Sequence, residues 1–366
     1  MIYFDNAATV YTGSTATLPD AGNASSPHKL GREAERELNR FRKKISLAFD
    51  CREDEIIYTS GGTESNNLAL IGFAMAHKRQ DVGIYTQPWE HPSVIEPVKF
   101  IKEQKLAEVY IAPFAKEASQ IRFAHEIPLV SISHVCHETG SINDIGLLAK
   151  SIKQAHPKAV IHVDGVQGFC KERADFSNID MLSFSAHKVC EVKGLGGLMI
   201  RNTTRILPIM FGGGQEKGLR PGTENIPAIA MFGVSIDNME ADGIRSHVSK
   251  IYEIIASIKS EIPDAFINNL GGEISPYILN MSFMGINGET LVHLLSEKEV
   301  YASMGAACRS RKKVKSALEL MGFDHDRAQS AVRFSFSRYN TVEEAEKAKT
   351  IIINAANQLR RMLRRN

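Results

Sequence analysis

Along the first half of the chain, apolar positions switch between helical and strand spacing. From Gly31 to Phe49, the residues Ala34, Leu38, Phe41, Ile45 and Ala48 recur every three or four positions, with charged side chains between them. That spacing predicts an amphipathic helix. Glu55-Ile56-Ile57-Tyr58-Thr59 reads as a short strand, and Ser60-Gly61-Gly62-Thr63-Glu64 opens a second helix with Leu68, Ile71 and Met75 on one side. Further strands are predicted over 129–135, 159–163, 181–185 and 197–200. Strands alternating with helices imply a mainly parallel sheet covered on both faces. In such sheets ligands bind at the carboxyl ends of the strands, so the residues just after each strand carry the interest.

Past residue 235 the pattern changes. It predicts a helix over 237–261, a strand over 278–283, a helix over 288–297, a strand over 300–303, another helix, a strand over 332–337, and a last helix. Thr341-Val342-Glu343-Glu344 fits a capping box for that helix, with Ala345, Ala348, Ile352, Ala355, Leu359 and Leu363 on its buried side. A large α/β domain followed by a smaller α+β domain accounts for the order. The basic end, Arg360-Arg361-Met362-Leu363-Arg364-Arg365, reads either as a solvated helix terminus favoured by the helix dipole or as a partner site.

Composition narrows the class. With 366 residues, the chain can bury a sizeable core. Its 44 Lys plus Arg against 42 Asp plus Glu leave a formal charge of +2, which gives no electrostatic case for nucleic-acid or membrane-surface binding. No apolar run approaches the ~18 residues of a membrane span, and Met1-Ile2-Tyr3-Phe4-Asp5-Asn6 does not read as a signal peptide. Cys51, Cys136, Cys170, Cys190 and Cys308 are odd in number and widely spaced, with no metal-binding spacing. The expectation is a reduced, cytoplasmic protein without a metal centre.

Four stretches carry chemistry. Ser60–Asn67 places two glycines and hydroxyl residues at a helix start, where free backbone N–H groups can meet a phosphate, although a turn with an N-cap has the same composition. His162-Val163-Asp164-Gly165-Val166-Gln167 sets an acid at the end of a central strand. Such an acid either caps the next turn or pairs with a buried cation such as a pyridinium. Ser183-Phe184-Ser185-Ala186-His187-Lys188 brings a lysine out of a strand end, as a desolvated amine nucleophile or as a solvated turn residue. In Ala302–Lys313, Cys308 lies among small residues with Arg309, Arg311, Lys312, Lys313 and Lys315 nearby. Cations lower a thiol's pKa and favour the reactive thiolate.

These stretches occur in order with Met1–Thr9, Glu90-His91, Arg220-Pro221-Gly222-Thr223-Glu224-Asn225 and Ala331-Val332-Arg333-Phe334-Ser335. Together they resemble the cysteine desulfurases, pyridoxal-phosphate enzymes of the class V aminotransferase group, across essentially the whole chain. The resemblance implies a fold-type I transferase: a large cofactor domain over 13–235 with a mainly parallel seven-stranded sheet, and a small α+β domain from 1–12 and 236–366. It implies that Lys188 holds the cofactor covalently and moves the substrate's Cα proton. Asp164 pairs with the pyridinium nitrogen, Gln167 bonds the phenolic oxygen, and His91 stacks on the ring and handles protons as a catalytic residue. Gly62, Thr63, Ser185 and His187 belong to the phosphate site, and Thr223 reaches the phosphate of the other subunit of a homodimer. Asn23 and Arg333 grip the substrate carboxylate, Arg333 by a two-point fork. Cys308 takes sulfur from L-cysteine as a persulfide, leaving L-alanine, and passes it to an acceptor protein, as in iron–sulfur cluster assembly.

Where the family reads His-Val-Asn-Asn-Glu, this chain reads His134-Val135-Cys136-His137-Glu138. His137 therefore stands where an asparagine amide contacts the phenolic oxygen, and its charge titrates near neutral pH. Other activities compatible with the resemblance are selenocysteine lyase, another class V reaction, or a catalytically impaired binding subunit for sulfur transfer.

Overall fold

The computed structural model describes residues 1–11, 23–114, 123–190, 192–239, 243–304 and 315–363. The chain divides into two compact units. One comprises Gly13–His134 and Asn143–Glu240; the other comprises Met1–Thr12, Val135–Ile142 and Ala241–Asn366. In chain order the strands begin with β1 (Ile2–Tyr3), which belongs to the second unit.

The first unit is built on seven strands: β2 (Ile56–Thr59), β3 (Val82–Thr86), β4 (Glu108–Ile111), β5 (Ile127–Ser133), β6 (Val160–Asp164), β7 (Met181–Ser185) and β8 (Gly196–Ile200). Their order across the sheet is β2-β8-β7-β6-β5-β3-β4. β8 runs antiparallel to both neighbours and every other pair is parallel. The predicted strands thus form with small shifts at their ends. β3 and β4 escape the sequence pattern for different reasons. β3, Val-Gly-Ile-Tyr-Thr, is buried along its whole length and so lacks alternation, whereas β4 is a largely exposed edge strand.

Helices cover both faces of this sheet. The helix predicted from Gly31 runs over Lys29–Ala48 (α1), capped by His28, whose Nδ1 accepts from Gly31 N at 3.2 Å. Its Leu38, Phe41 and Ile45 join Phe49, Phe184 and Phe232 in one core. On the other face, helices α2 (Gly62–His77) and α3 (Pro92–Glu103) bury Leu68, Phe73, Val94, Val98 and Ile101 in a second core. Strand alternation assigns side chains to these faces. In β6, Ile161 and Val163 enter the first core, so His162 and Asp164 face α2 and α3.

His162 bridges three strands, with Nδ1 at 2.9 Å from Ser131 Oγ and Nε2 at 3.0 Å from Ser183 Oγ. Burial pushes its pKa down to about 4, so the ring is neutral. α2 is fixed at its start by Ser65, whose Oγ donates to Gly197 O at 2.9 Å. A Cβ on Gly196 would lie 2.6 Å from Gly61 Cα, so that strand approaches the helix start as only glycine permits.

The second unit has an antiparallel sheet in the order β12-β13-β10-β9. Its strands are β9 (Ala265–Ile267), β10 (Ile278–Phe283), β12 (Ser303–Met304) and β13 (Ala331–Ser335), while β11 (Val300–Tyr301) pairs in parallel with β1. The single strand expected over 300–303 is therefore two, pairing with different partners. The core includes Phe4, Ile255, Phe283, Leu291, Phe334 and Ile352, with Phe4 edge-on to Phe336 at 5.0 Å. The helix expected over 237–261 is broken. Separate helices span Ile226–Met239, Ile244–Ala256 and Ile258–Glu261, and Gly243, with φ of 97°, sits in the left-handed region just before the second. Among the described residues, no helix is long and apolar enough to cross a membrane.

One ion pair ties α1 to the first sheet. Arg42 donates to Glu216 from Nη2 at 2.6 Å and from Nη1 at 3.0 Å, and the same carboxylate accepts from Tyr58 N at 2.7 Å. Both side chains are nearly buried. Removing one partner strands the other charge, which costs about 3–5 kcal/mol in buried pairs. Glu216→Ala should therefore lower the urea unfolding midpoint strongly, and Arg42→Met combined with it should recover part of the loss. A double variant no more stable than Glu216→Ala alone would contradict this account.

Candidate active site

Four consecutive strands, β3, β5, β6 and β7, end side by side, and the polar residues of the first unit gather just beyond those ends. Asp164 is the last residue of β6 and is buried. Its Oδ1 accepts from Val166 N at 3.0 Å and its Oδ2 from Asn66 Nδ2 at 2.8 Å. Asn66 also donates to Ser93 Oγ at 2.8 Å, and Ser93 Oγ lies 2.7 Å from His91 Nδ1. His91 caps α3, with Nδ1 accepting from Ser93 N at 3.1 Å. Asp164 and His91 are thus joined through two side chains that the sequence pattern did not single out. The available signal was Asn66 itself, a polar residue on the buried side of α2 with Gly62, Ala69 and Phe73.

At the end of β7 the chain makes one tight turn, Ala186–Lys188. Ser185 is buried, and its Oγ has no hydrogen-bond partner among the described residues. It lies near the start of α2, since a Cβ on Gly61 would come 3.8 Å from it. A Cβ on Gly62 would meet Val166 Cγ2 at 2.5 Å, so the helix start also packs against the turn after Asp164. Gln167 is buried in that turn and Thr63 is exposed in the first turn of α2. A helix N-terminus beside a buried hydroxyl is suited to an anion.

Charges around His187 support this. Burial, then the neighbouring Lys188, Lys171 and Lys193, push the His187 pKa down to about 4, so the imidazole is neutral among cations. Burial and the charge of Lys188 lower Lys171 to about 7. Lys171 also went unnoticed in the sequence, because one lysine in a turn gives no pattern.

Asn23 and Thr223 are exposed residues of the same unit. Asn23 Oδ1 accepts from Ser25 N at 2.9 Å, and among the described residues no hydrogen bond joins either to the group above. In the second unit, Arg333 on β13 donates from Nη1 to His137 O at 2.8 Å. Its guanidinium lies 3.6 Å from Asp5 Oδ1 and 3.8 Å from Glu138 Oε1, and its buried Nε has no partner among the described residues. His137 is half-buried with Nε2 at 3.6 Å from Glu138 Oε1. Cys308 lies outside the described residues. The other four cysteines are free thiols. Burial pushes Cys51 up to about 12 and raises Cys136 as well, which suppresses their thiolates. Among the described residues, no group of His, Cys, Asp and Glu is placed to hold a metal ion.

Glu90 is buried, with Oε1 accepting from Ser133 N at 3.1 Å and Ser133 Oγ at 3.2 Å, while Oε2 has no partner among the described residues. Burial, with the Asp164 charge adding to it, pushes its pKa from 4.5 to about 8. The folded protein therefore holds a proton that the unfolded chain releases above pH 4.5. This contribution to stability is complete below that pH and is lost as pH rises through 8, about 5 kcal/mol over the window. Glu90→Gln should flatten the fall in thermal stability between pH 6 and pH 9. Parallel profiles for the two proteins would show that Glu90 is ionised throughout.

The Aminotransferase class-V family matches residues 2–347. A cysteine desulfurase IscS 1 of Archaeoglobus fulgidus is 33% identical over 99% of this chain and 98% of its own length. The solved structure of a NifS-like protein superposes with a TM-score of 0.86 at 31% identity, covering 98% of this chain and all of that one. A structure described as SspA in complex with cysteine gives a TM-score of 0.74 at 26% identity, over 93% of this chain.

Proposed function

Because the chain belongs to the aminotransferase class-V family, we propose that it is a cysteine desulfurase, taking sulfur from L-cysteine and releasing L-alanine. The observation that carries this reading is the run of Asp164, Ser185, His187 and Lys188 at the adjoining ends of β6 and β7. The cofactor is pyridoxal phosphate. The buried Ser185 hydroxyl, the start of α2 and the cations around His187 fit its phosphate, and the Asp164 carboxylate fits its pyridinium. When bound, it supplies the electron sink that makes the substrate's Cα–H acidic.

The protein's own residues do the rest. Lys188 tethers the cofactor through its amine and moves the Cα proton. Asp164 holds the ring nitrogen, Gln167 and His137 address the phenolic oxygen, and His91 covers the ring. Gly62 and Thr63 contribute backbone and hydroxyl donors to the phosphate. Arg333 and Asn23 are assigned to the substrate carboxylate, Arg333 through the edge that carries its unpartnered Nε. The Cys308 thiolate attacks the substrate sulfur. The Cβ–S bond breaks, an S–S bond forms on Cys308, and the carbon fragment keeps the bonding pair and takes up a proton to become alanine. Sulfur then leaves to an acceptor protein. Thr223 assigns the active form to a homodimer, and the free thiols are in keeping with a cytoplasmic location.

Purified protein with L-cysteine should release alanine and carry a persulfide on Cys308. Cys308→Ser should bind cofactor normally and form none, and Lys188→Ala should lose the borohydride-reducible link. A substrate-derived persulfide found on Cys51, Cys136, Cys170 or Cys190 instead would overturn the assignment of the nucleophile, and failure of the parent protein to release alanine would overturn the activity.

A further inference from the structure

The bonds between Asp164 and His91 have a direction, and that direction fixes where the histidine carries its proton. Asp164 Oδ2 can only accept, so the Asn66 atom 2.8 Å away must be the amide nitrogen. The opposite orientation would set the amide oxygen against a carboxylate. The second N–H of the same nitrogen then points to Ser93 Oγ at 2.8 Å, and Asn66 Oδ1 is left buried without a partner among the described residues. Burying an amide oxygen unpaired is unfavourable. That orientation persists because Asp164 demands the nitrogen.

Ser93 Oγ, accepting from Asn66, has its own proton left to give. His91 Nδ1 is the acceptor at 2.7 Å, and it already receives Ser93 N at 3.1 Å. A ring nitrogen receiving two donors carries no hydrogen, so the proton of the neutral imidazole sits on Nε2.

We propose that Asn66 and Ser93 are positioning residues that hold His91 as its Nε2–H tautomer under the orientation imposed by Asp164, so that the neutral ring presents an N–H donor at Nε2 while its basic lone pair at Nδ1 stays occupied. Protonating Nδ1 would require breaking the α3 cap and reversing the Ser93 hydroxyl together. His91 then works as a one-sided hydrogen-bond donor whose N–H position is set by a carboxylate on a neighbouring strand. The tautomer assignment stands on hydrogen-bond geometry, and only its use in catalysis rests on the desulfurase reading.

The test is nitrogen NMR of the cofactor-loaded protein labelled with 15N-histidine, with His91→Gln identifying the His91 signals. The parent should show a protonated Nε2 and an unprotonated Nδ1. Ser93→Ala removes one of the two donors to Nδ1, so the Nδ1 resonance should move downfield and the preference for the Nε2–H form should weaken about fivefold, the worth of one neutral hydrogen bond. Ser93→Thr should keep the parent signature. In cysteine turnover, Ser93→Ala should lower kcat with little change in KM, and Ser93→Thr should restore it. A parent protein with the proton on Nδ1, or an Nδ1 signal unmoved in Ser93→Ala, would overturn the proposal. Loss of alanine release in the parent would instead count against the desulfurase reading and leave the tautomer result standing.

Discussion

Holding the Asp164 carboxylate out of water at the end of a central strand is the demand around which the first unit is arranged. An ionised group so placed needs hydrogen bonds to replace its hydration. One comes from the turn that immediately follows, through Val166 N, and the other from α2, through Asn66. The second bond places α2 and constrains its residues. The helix start packs on Val166 and against Gly196, positions where a side chain on the glycines would collide, and Ser65 fastens it to β8. Those contacts bring the first turn of α2 near the buried Ser185 hydroxyl. An acid on one strand thereby sets the position of a helix start beside the end of the next.

The polar character of this face is also structural. His162, on the same side of β6 as Asp164, is neutral and bonded to serines on both neighbouring strands. It spans the strands on either side of the one that ends in the acid, so those strand ends are held in register by side chains as well as by backbone. Glu90 adds a carboxyl group whose pKa is pushed up to about 8 by burial, with the Asp164 charge adding to it.

Much of this was legible in the sequence, for identifiable reasons. The strand ending in Ser185 and the turn carrying Lys188 were placed because Met181–Ser185 is compact and bounded by polar residues. The acid at Asp164 was placed because a β-branched run precedes it. What escaped notice depends on burial and on pairings distant in sequence. Asn66 and Ser93 are ordinary polar residues in helices, and their meaning lies in Asn66 bonding an acid 98 residues away and Ser93 bonding Asn66 across 27 residues. Gly243, with its left-handed backbone, stands just before the start of a helix, inside a stretch that apolar spacing reads as one continuous helix. The edge strand β4 has a mostly exposed pattern that reads as loop.

The lysines around His187 have a consequence for the protein before any ligand arrives. Lys171, Lys188 and Lys193 all disfavour a charge on His187, and Lys188 also disfavours one on Lys171. Like charges held together by the fold are a strain that an entering anion relieves. Relief of that kind belongs to the folded state alone, because the unfolded chain lets the lysines drift apart. On the reading proposed above, in which these residues take a phosphate, occupancy of the site and stability of the fold are linked by mass action, and the concentration of the phosphorylated ligand becomes one of the variables that sets the folded fraction.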